Sequence, residues 1–520
     1  MEEEKVLRLA KPKKKGILRL IFSRFLIIGL LILLQILFFV AVFGYLGDVV
    51  PYIEAVTPLF TLAIIFYIFN SNMDTSSKLT WLVVISLAPF PGALFLVYCK
   101  KNVGNRSTTF RVRKLISETK DVIVQNPQVT EDLKNDDSGT RELCTYLNRN
   151  GCFPIYENTE VTFFPSGEAK FQAILTELEK AKSFIFMEYF IIEEGYMWGR
   201  MLEILARKVK EGVDVRVMYD GLCEMSTLPS NYPKLLGNIG IKSKMFSPLT
   251  PFLSTHYNYR DHRKILVIDG NVGFNGGVNL ADEYINKVER FGHWKDTAVM
   301  LKGAAVQSQT LMFLQMWNID LKKTDFSQAY IPAVQGKTDG FVIPYADSPL
   351  DEDKVGESVY MDILNRAHKY VHIMTPYLIL DGELETALKF AAERGVDVKM
   401  ILPGIPDKST AYSLAKSHYR SLIASGVKLY EYTPGFVHAK VVASDDLKAV
   451  VGTINFDYRS LYHHFECATY MYKTSCISDI EKDFQETLTK CREVTPETIK
   501  KDKLSYKIKG TILKLFAPLF

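Results

Sequence analysis

Two histidines in this chain sit in the same short pattern. His262 is followed by Lys264 and then Asp269, and His438 by Lys440 and then Asp445, at identical spacing. After six intervening residues each aspartate is followed by a glycine-led block, Gly276-Gly277-Val278-Asn279 in one case and Gly452-Thr453-Ile454-Asn455 in the other. A histidine acquires such a Lys and Asp by chance on the order of once in a few hundred, so two copies that also share the second block are not an accident. The residue types suit phosphodiester chemistry. One imidazole would attack phosphorus and form a phosphohistidine, while the other protonates the departing alcohol and later takes a proton from the incoming hydroxyl. Lys264, Lys440 and the amides of Asn279 and Asn455 would hold the non-bridging oxygens as charge builds up on them. The two imidazoles would begin in different protonation states and titrate as a coupled pair.

The element that must position each motif is a strand. Ile265-Leu266-Val267-Ile268 is apolar and β-branched and ends at the turn dipeptide Asp269-Gly270. Alternation along such a strand puts His262 and Lys264 on one face, and likewise His438 and Lys440. Asp269 and Asp445 fall at the strand ends with opposite parity. They belong to the catalytic set His262, Lys264, Asp269, His438, Lys440 and Asp445 in a supporting capacity. The duplication extends upstream. Phe184–Ile192, a helical stretch and Gly212–Met218 match Val371–Ile379, a helical stretch and Gly395–Ile401. Alternating strands and helices build layered α/β domains, and two such halves would pack face to face around one composite site.

The paired H-x-K-x4-D motifs resemble the phospholipase D superfamily. Glu188–Ile192, Asn258–Lys264, Trp294–Thr297 and Gly452–Ser460 are similar to bacterial cardiolipin synthases over nearly the whole chain, with Asp261 and His464 standing where that family commonly has Asn. The resemblance implies two phospholipase D-like α/β/α halves forming one site, preceded by N-terminal transmembrane helices. It also implies that Glu466 supports an imidazole, that of the second copy, with Glu283 the best counterpart in the first half. The expected boundaries are 1–100 for the membrane region, 101–155 for a connector, 156–335 and 336–490 for the halves, and 491–520 for a basic amphipathic tail.

The net charge of +4, from 63 basic and 59 acidic residues, argues against a dedicated nucleic-acid binder. Basic residues from Lys5 to Arg24 precede an apolar run, Phe25 to Leu46, that is too long for a signal-peptide core and reads as a membrane span with a cytoplasmic N-terminus. Ala55 to Phe69 and Leu79 to Tyr98 are further candidates, the latter interrupted by Pro89 and Pro91. Basic residues from Lys100 to Lys114 follow. Charge on both flanks favours an even number of crossings, whereas three would put those residues outside. Leu504, Ile508, Ile512, Leu515 and Leu519 recur at helical spacing among lysines, fitting either an interfacial helix on anionic lipid or a helix docked on the protein. Seven cysteines without C-x-x-C spacing imply no disulfide framework.

No cofactor is expected: there is no phosphate-binding glycine loop. No metal is expected either, because the lysine near each histidine would repel a divalent cation and no His/Asp/Glu cluster has ligand spacing along the chain. The resemblance implies a multi-pass protein of the bacterial cytoplasmic membrane that transfers a phosphatidyl group between two phosphatidylglycerols, giving cardiolipin and glycerol. The alternatives are a membrane-anchored hydrolase with water as acceptor, a phosphodiesterase or nuclease, and a non-catalytic scaffold. The expected partners are the phospholipid substrate phosphatidylglycerol and the membrane, and no nucleic acid is expected.

Overall fold

The computed structural model describes residues 6–10, 33, 37, 50–100, 106–134, 138–151, 153–247, 259–330, 336–337, 339–351 and 353–519. The first half contains β1 (Thr159–Phe164), β2 (Phe184–Tyr189), β3 (Asp214–Asp220), β4 (Lys242–Phe246), β5 (Arg260–Asp261), β6 (Lys264–Ile268), β7 (Val272–Gly276), β8 (His293–Lys295) and β9 (Ala298–Gly303). Seven of these form one sheet in the order β1-β9-β7-β6-β2-β3-β4. The second half contains β10 (Phe341–Asp347), β11 (Tyr370–Met374), β12 (Leu378–Ile379), β13 (Asp397–Pro403), β14 (Lys428–Tyr432), β15 (Gly435–Val437), β16 (Val441–Ser444), β17 (Lys448–Gly452), β18 (Phe456–Asp457), β19 (His464–Tyr472) and β20 (Cys491–Glu493). Its sheet runs β10-β19-β17-β16-β11-β13-β14-β20. Apart from the added edge strand β20, the two orders correspond strand for strand, so the sequence repeat is a repeat of topology.

The run Ile265–Ile268 is apolar throughout because both faces of β6 are covered. Ile265 and Val267 face a core shared by both halves, which includes Phe186, Phe313 on the helix Val306–Trp317, and Val450 and Met471 of the second sheet. Leu266 and Ile268 face the other way, onto Met201, Leu202 and Leu205 of the helix Tyr196–Lys210. Each of these fully buried side chains stabilises the fold by about 1.5–3 kcal/mol.

The expected connector is not a linker. Helices Arg106–Glu118, Pro127–Asp132 and Thr140–Gly151 occupy it, and Val112, Leu133, Leu143 and Leu147 are buried in the shared core. Alternating polar residues there form the solvent face of amphipathic helices.

The N-terminal expectation also changes. Among the described residues no helix is long and apolar enough to cross a membrane. The run from Phe25 to Leu46 lies, but for Leu33 and Leu37, outside them. Ala55–Phe69 falls within the helix Val50–Phe69, and Leu79–Tyr98 is divided at Ala88 into the helices Thr75–Leu87 and Pro89–Lys100. Pro89 disfavours helical backbone at the residue before it. At the C-terminus the helix Leu504–Leu515 docks on the helix Ser409–Ala424. A side chain at Gly510 would meet the Ser413 carbonyl oxygen at 2.3 Å, so glycine is what permits this approach.

Candidate active site

The site is built where each half lends backbone to the other. β5, just before His262, pairs in parallel with the start of β19, Arg260 opposite His464 and Asp261 opposite Phe465. β15, just before His438, pairs in parallel with β8, Val437 opposite Lys295. The ladder continues into the motifs: His262 N–H donates to the Phe465 carbonyl at 2.9 Å, and His438 N–H to the Lys295 carbonyl at 2.7 Å. Neither histidine is a strand residue. β6 starts at Lys264 and β16 at Val441, so each histidine sits just ahead of its motif strand rather than on a strand face shared with its lysine. Each lysine folds back onto its own histidine, Lys264 Nζ donating to the His262 carbonyl at 2.6 Å and Lys440 Nζ to that of His438.

These crossed ladders set the imidazole partners. His262 Nδ1 lies 2.9 and 3.0 Å from the two oxygens of Glu466. His438 Nδ1 lies 2.7 Å from Asp296 Oδ2. Glu466 therefore supports the first copy, not the second as expected, and the carboxylate that supports His438 comes from the first half. Glu283 does not fill that role. It pairs with Arg290 at 2.5 Å, and burial pushes its carboxyl up to about 7.

Asp296 and Glu466 are topological equivalents. Gly276 pairs with Ala298 and Gly452 with Ala468, and each carboxylate lies two residues before that alanine. The loop conceals this: Asp296 is 20 positions after Gly276 (296 − 276), whereas Glu466 is 14 after Gly452 (466 − 452). The differing blocks Gly-Gly and Gly-Thr match the two carboxylates. A side chain at Gly277 would strike Asp296 Oδ1 at 2.1 Å, while Thr453 uses its hydroxyl to donate to Glu466 Oε2.

The motif aspartates are not at the chemistry. Asp269 accepts from the backbone N–H groups of Lys182, Ser183 and Phe184 at 2.7–2.9 Å, and Asp445 from those of His368, Lys369 and Tyr370 at 2.8–2.9 Å. Both are half-exposed, with φ of 52° and 58°, a left-handed conformation that Asp tolerates better than most residues. The five residues of β6 separate Asp269 from the histidine by about 17 Å at roughly 3.3 Å per residue. Each aspartate pins the start of the strand beside its motif, β2 or β11.

Asn279 is also committed elsewhere. Its oxygen accepts from Ile191 N–H at 3.0 Å, and its amide donates to the Tyr284 hydroxyl at 2.9 Å. Asn455 is buried, and its side-chain oxygen has no hydrogen-bond partner among the described residues.

Burial, then the neighbouring lysines, pushes both histidines down, His438 to about 4. Burial likewise pushes Lys264 down to about 8 and Lys440 to about 7. It would raise Asp296 too, but His438 and Lys440 outweigh it and hold that carboxyl below its ordinary range. The site thus contains neutral imidazoles and two poorly solvated lysines whose charged form a bound anion would favour. Lys170, on the helix Gly167–Glu179, is a further buried ammonium that the spacing did not reveal; burial pushes it down to about 7. Phe190 stands 4.9 Å from the His262 ring, and Trp294 and Tyr284 stand 5.3 and 5.4 Å from that of His438.

A family model described as the phospholipase D-like domain of cardiolipin synthase matches residues 174–317 and 360–488, one stretch in each half. The chain belongs to this cardiolipin synthase family. Within it, cardiolipin synthase 2 of Bacillus anthracis is 35% identical over 87% of this chain and 88% of its own length. Cardiolipin synthase of Alkalihalophilus pseudofirmus is 34% identical over 89% of this chain and 93% of its own. An uncharacterized protein of Streptococcus mutans is 58% identical over 88% of this chain and 99% of its own. The crystal structure of phosphatidylserine synthase from Haemophilus influenzae shares the fold, with a TM-score of 0.55 at 17% identity, covering 73% of this chain and 97% of that one. His262 lies within the first matched stretch and His438 within the second.

Proposed function

We propose that this chain is a membrane-associated phosphatidyltransferase that joins two phosphatidylglycerol molecules into cardiolipin and releases glycerol. The observation that carries the reading is the reciprocal support of the two histidines. Each Nδ1 faces a carboxylate from the opposite half, which fixes the proton on Nδ1 and leaves the Nε2 lone pair to react. Nε2 of one histidine attacks phosphorus, forming the N–P bond as the P–O bond to glycerol breaks, and the other histidine, protonated, gives its proton to the departing oxygen. The anionic phosphodiester offsets Lys264 and Lys440 and so favours protonation of that second imidazole. Now neutral, it takes a proton from the hydroxyl of the next phosphatidylglycerol, whose oxygen displaces Nε2. One phosphodiester is exchanged for another, so the reaction balances without an activated nucleotide.

The lipid-facing reading rests on the C-terminal helix. Leu504, Ile508, Ile512 and Leu515 are exposed along one side of it, amid Lys507, Lys509 and Lys514, while Leu513 is buried against the protein. The Thr80 hydroxyl donates to the Leu515 carbonyl at 2.7 Å, joining this helix to the N-terminal helices. There Leu59, Leu62, Phe66 and Phe69 are exposed as well. The apolar, lysine-flanked side of the C-terminal helix fits an anionic bilayer interface, where both substrates reside.

The test is mass spectrometry of products from phosphatidylglycerol and the detergent-purified protein, beside His262→Ala and His438→Ala. Cardiolipin and glycerol from the parent alone are expected, with a trapped phosphatidyl group in only one variant. Phosphatidic acid without cardiolipin would make water the acceptor, and full turnover by either variant would refute the composite site.

A further inference from the structure

His464 is buried beside the reaction centre and has no place in the chemistry just described. It is 7% exposed, and neither ring nitrogen has a hydrogen-bond partner among the described residues. Its ring lies 5.3 Å from that of His262. Its Nδ1 stands 3.6 Å from Glu466 Oε1, too far for a hydrogen bond, and that same oxygen is 2.9 Å from His262 Nδ1. One ligand atom from each of these three residues falls within 4.8 Å of the other two. The sequence hides the group, since His262 and His464 belong to different halves.

We propose that His262, His464 and Glu466 form an inhibitory site for a zinc-class divalent ion, a regulation that presupposes the transferase reading above. Tetrahedral zinc with bonds of about 2.0–2.2 Å sets its ligand atoms about 3.4 Å apart. The 3.6 Å contact already fits, and the 2.9 Å contact must open by a few tenths of an ångström. Two imidazoles and one carboxylate select a borderline-soft ion over Mg2+ or Ca2+, which take oxygen. The lysines that weigh against a cation have their amines turned onto the His262 and His438 carbonyls, and the Glu466 carboxylate supplies compensating charge.

Inhibition follows from the tautomer. A metal on His262 Nδ1 needs the lone pair there, so the proton of the neutral ring moves to Nε2. Nε2 then has no lone pair with which to attack phosphorus or to accept a proton from the incoming hydroxyl. Either assignment of His262 leaves the cycle stopped, and removing the metal restores it.

The experiment uses the full-length protein in detergent, with Zn2+ titrated into the phosphatidylglycerol assay. The parent should lose activity and regain it with chelator, while Mg2+ at equal concentration has no effect. His464→Asn should still form cardiolipin but need at least tenfold more Zn2+ for half-inhibition. Equal sensitivity of parent and variant, or no inhibition of the parent, would overturn the proposal. X-ray absorption at the zinc edge of the parent needs no variant: two imidazole ligands are expected, and sulfur ligation or fewer than two would overturn the assignment. A parent that binds zinc through two imidazoles yet makes no cardiolipin would refute the transferase reading while leaving the site standing.

Discussion

Substituting each supporting carboxylate by its amide separates two kinds of loss. Asp296 uses both oxygens: Oδ2 meets His438 Nδ1 at 2.7 Å, and Oδ1 accepts from Thr297 N–H at 2.8 Å. In Asp296→Asn the backbone N–H still demands an acceptor, so the amide oxygen remains with Thr297 and the NH2 turns toward the imidazole. His438 must then accept at Nδ1 and carry its proton on Nε2, which is the wrong tautomer. Glu466 differs, because both oxygens lie within 3.0 Å of His262 Nδ1 and one of them meets the Thr453 hydroxyl, which can turn to accept. Glu466→Gln can therefore keep an oxygen on His262 and loses mainly the charge. A hydrogen bond to a charged group contributes about 1.5–3 kcal/mol, or roughly 10- to 150-fold in rate. The tautomer error in Asp296→Asn should add to this, taking kcat down by about 10^3 to 10^4, as amide replacement does in a serine protease triad. The assay is kcat for cardiolipin formation at saturating phosphatidylglycerol, with Tm measured in parallel. Asp296→Asn within tenfold of the parent, or less impaired than Glu466→Gln, would refute the tautomer argument.

Other consequences can be measured directly. Asp269→Ala and Asp445→Ala each leave three backbone N–H groups without their acceptor, so each should cost about 2–4 kcal/mol of stability in chemical denaturation while the folded protein keeps the parental KM. Burial pushes Asp261 up to about 7 and raises its neighbour Glu188 as well. The folded state therefore holds a proton that the unfolded chain releases near its ordinary 3.8, so this contribution to stability is full below that value and is lost as pH rises toward 7. Tm of Asp261→Asn should accordingly fall less than that of the parent between pH 5 and 8, and parallel curves would refute it. Ile508→Glu with Ile512→Glu, on the exposed side of the C-terminal helix, should abolish co-sedimentation with phosphatidylglycerol vesicles, and unchanged binding would remove that surface from the reading.

The sequence determined the pairing of the two motifs, the repeat that frames them and the buried strand Ile265–Ile268, because duplicated spacing and apolar runs are local patterns that survive without knowledge of the fold. It also singled out Glu466 and the helical stripe from Leu504 to Leu515. What it could not fix was partnership. The supporting carboxylates cross between halves, and a loop six residues longer before Asp296 than before Glu466 removes the spacing that would have matched them. Asp269 and Asp445 share the chemical type of a catalytic acid, yet three backbone N–H groups claim each one. Glu283 is close in sequence to the first motif block but turns to Arg290. His464 becomes a neighbour of His262 only when β5 adds to β19. Residue type and spacing set which chemistry is available; strand pairing across the halves, a long-range event with no local trace, decides which side chains meet to carry it out.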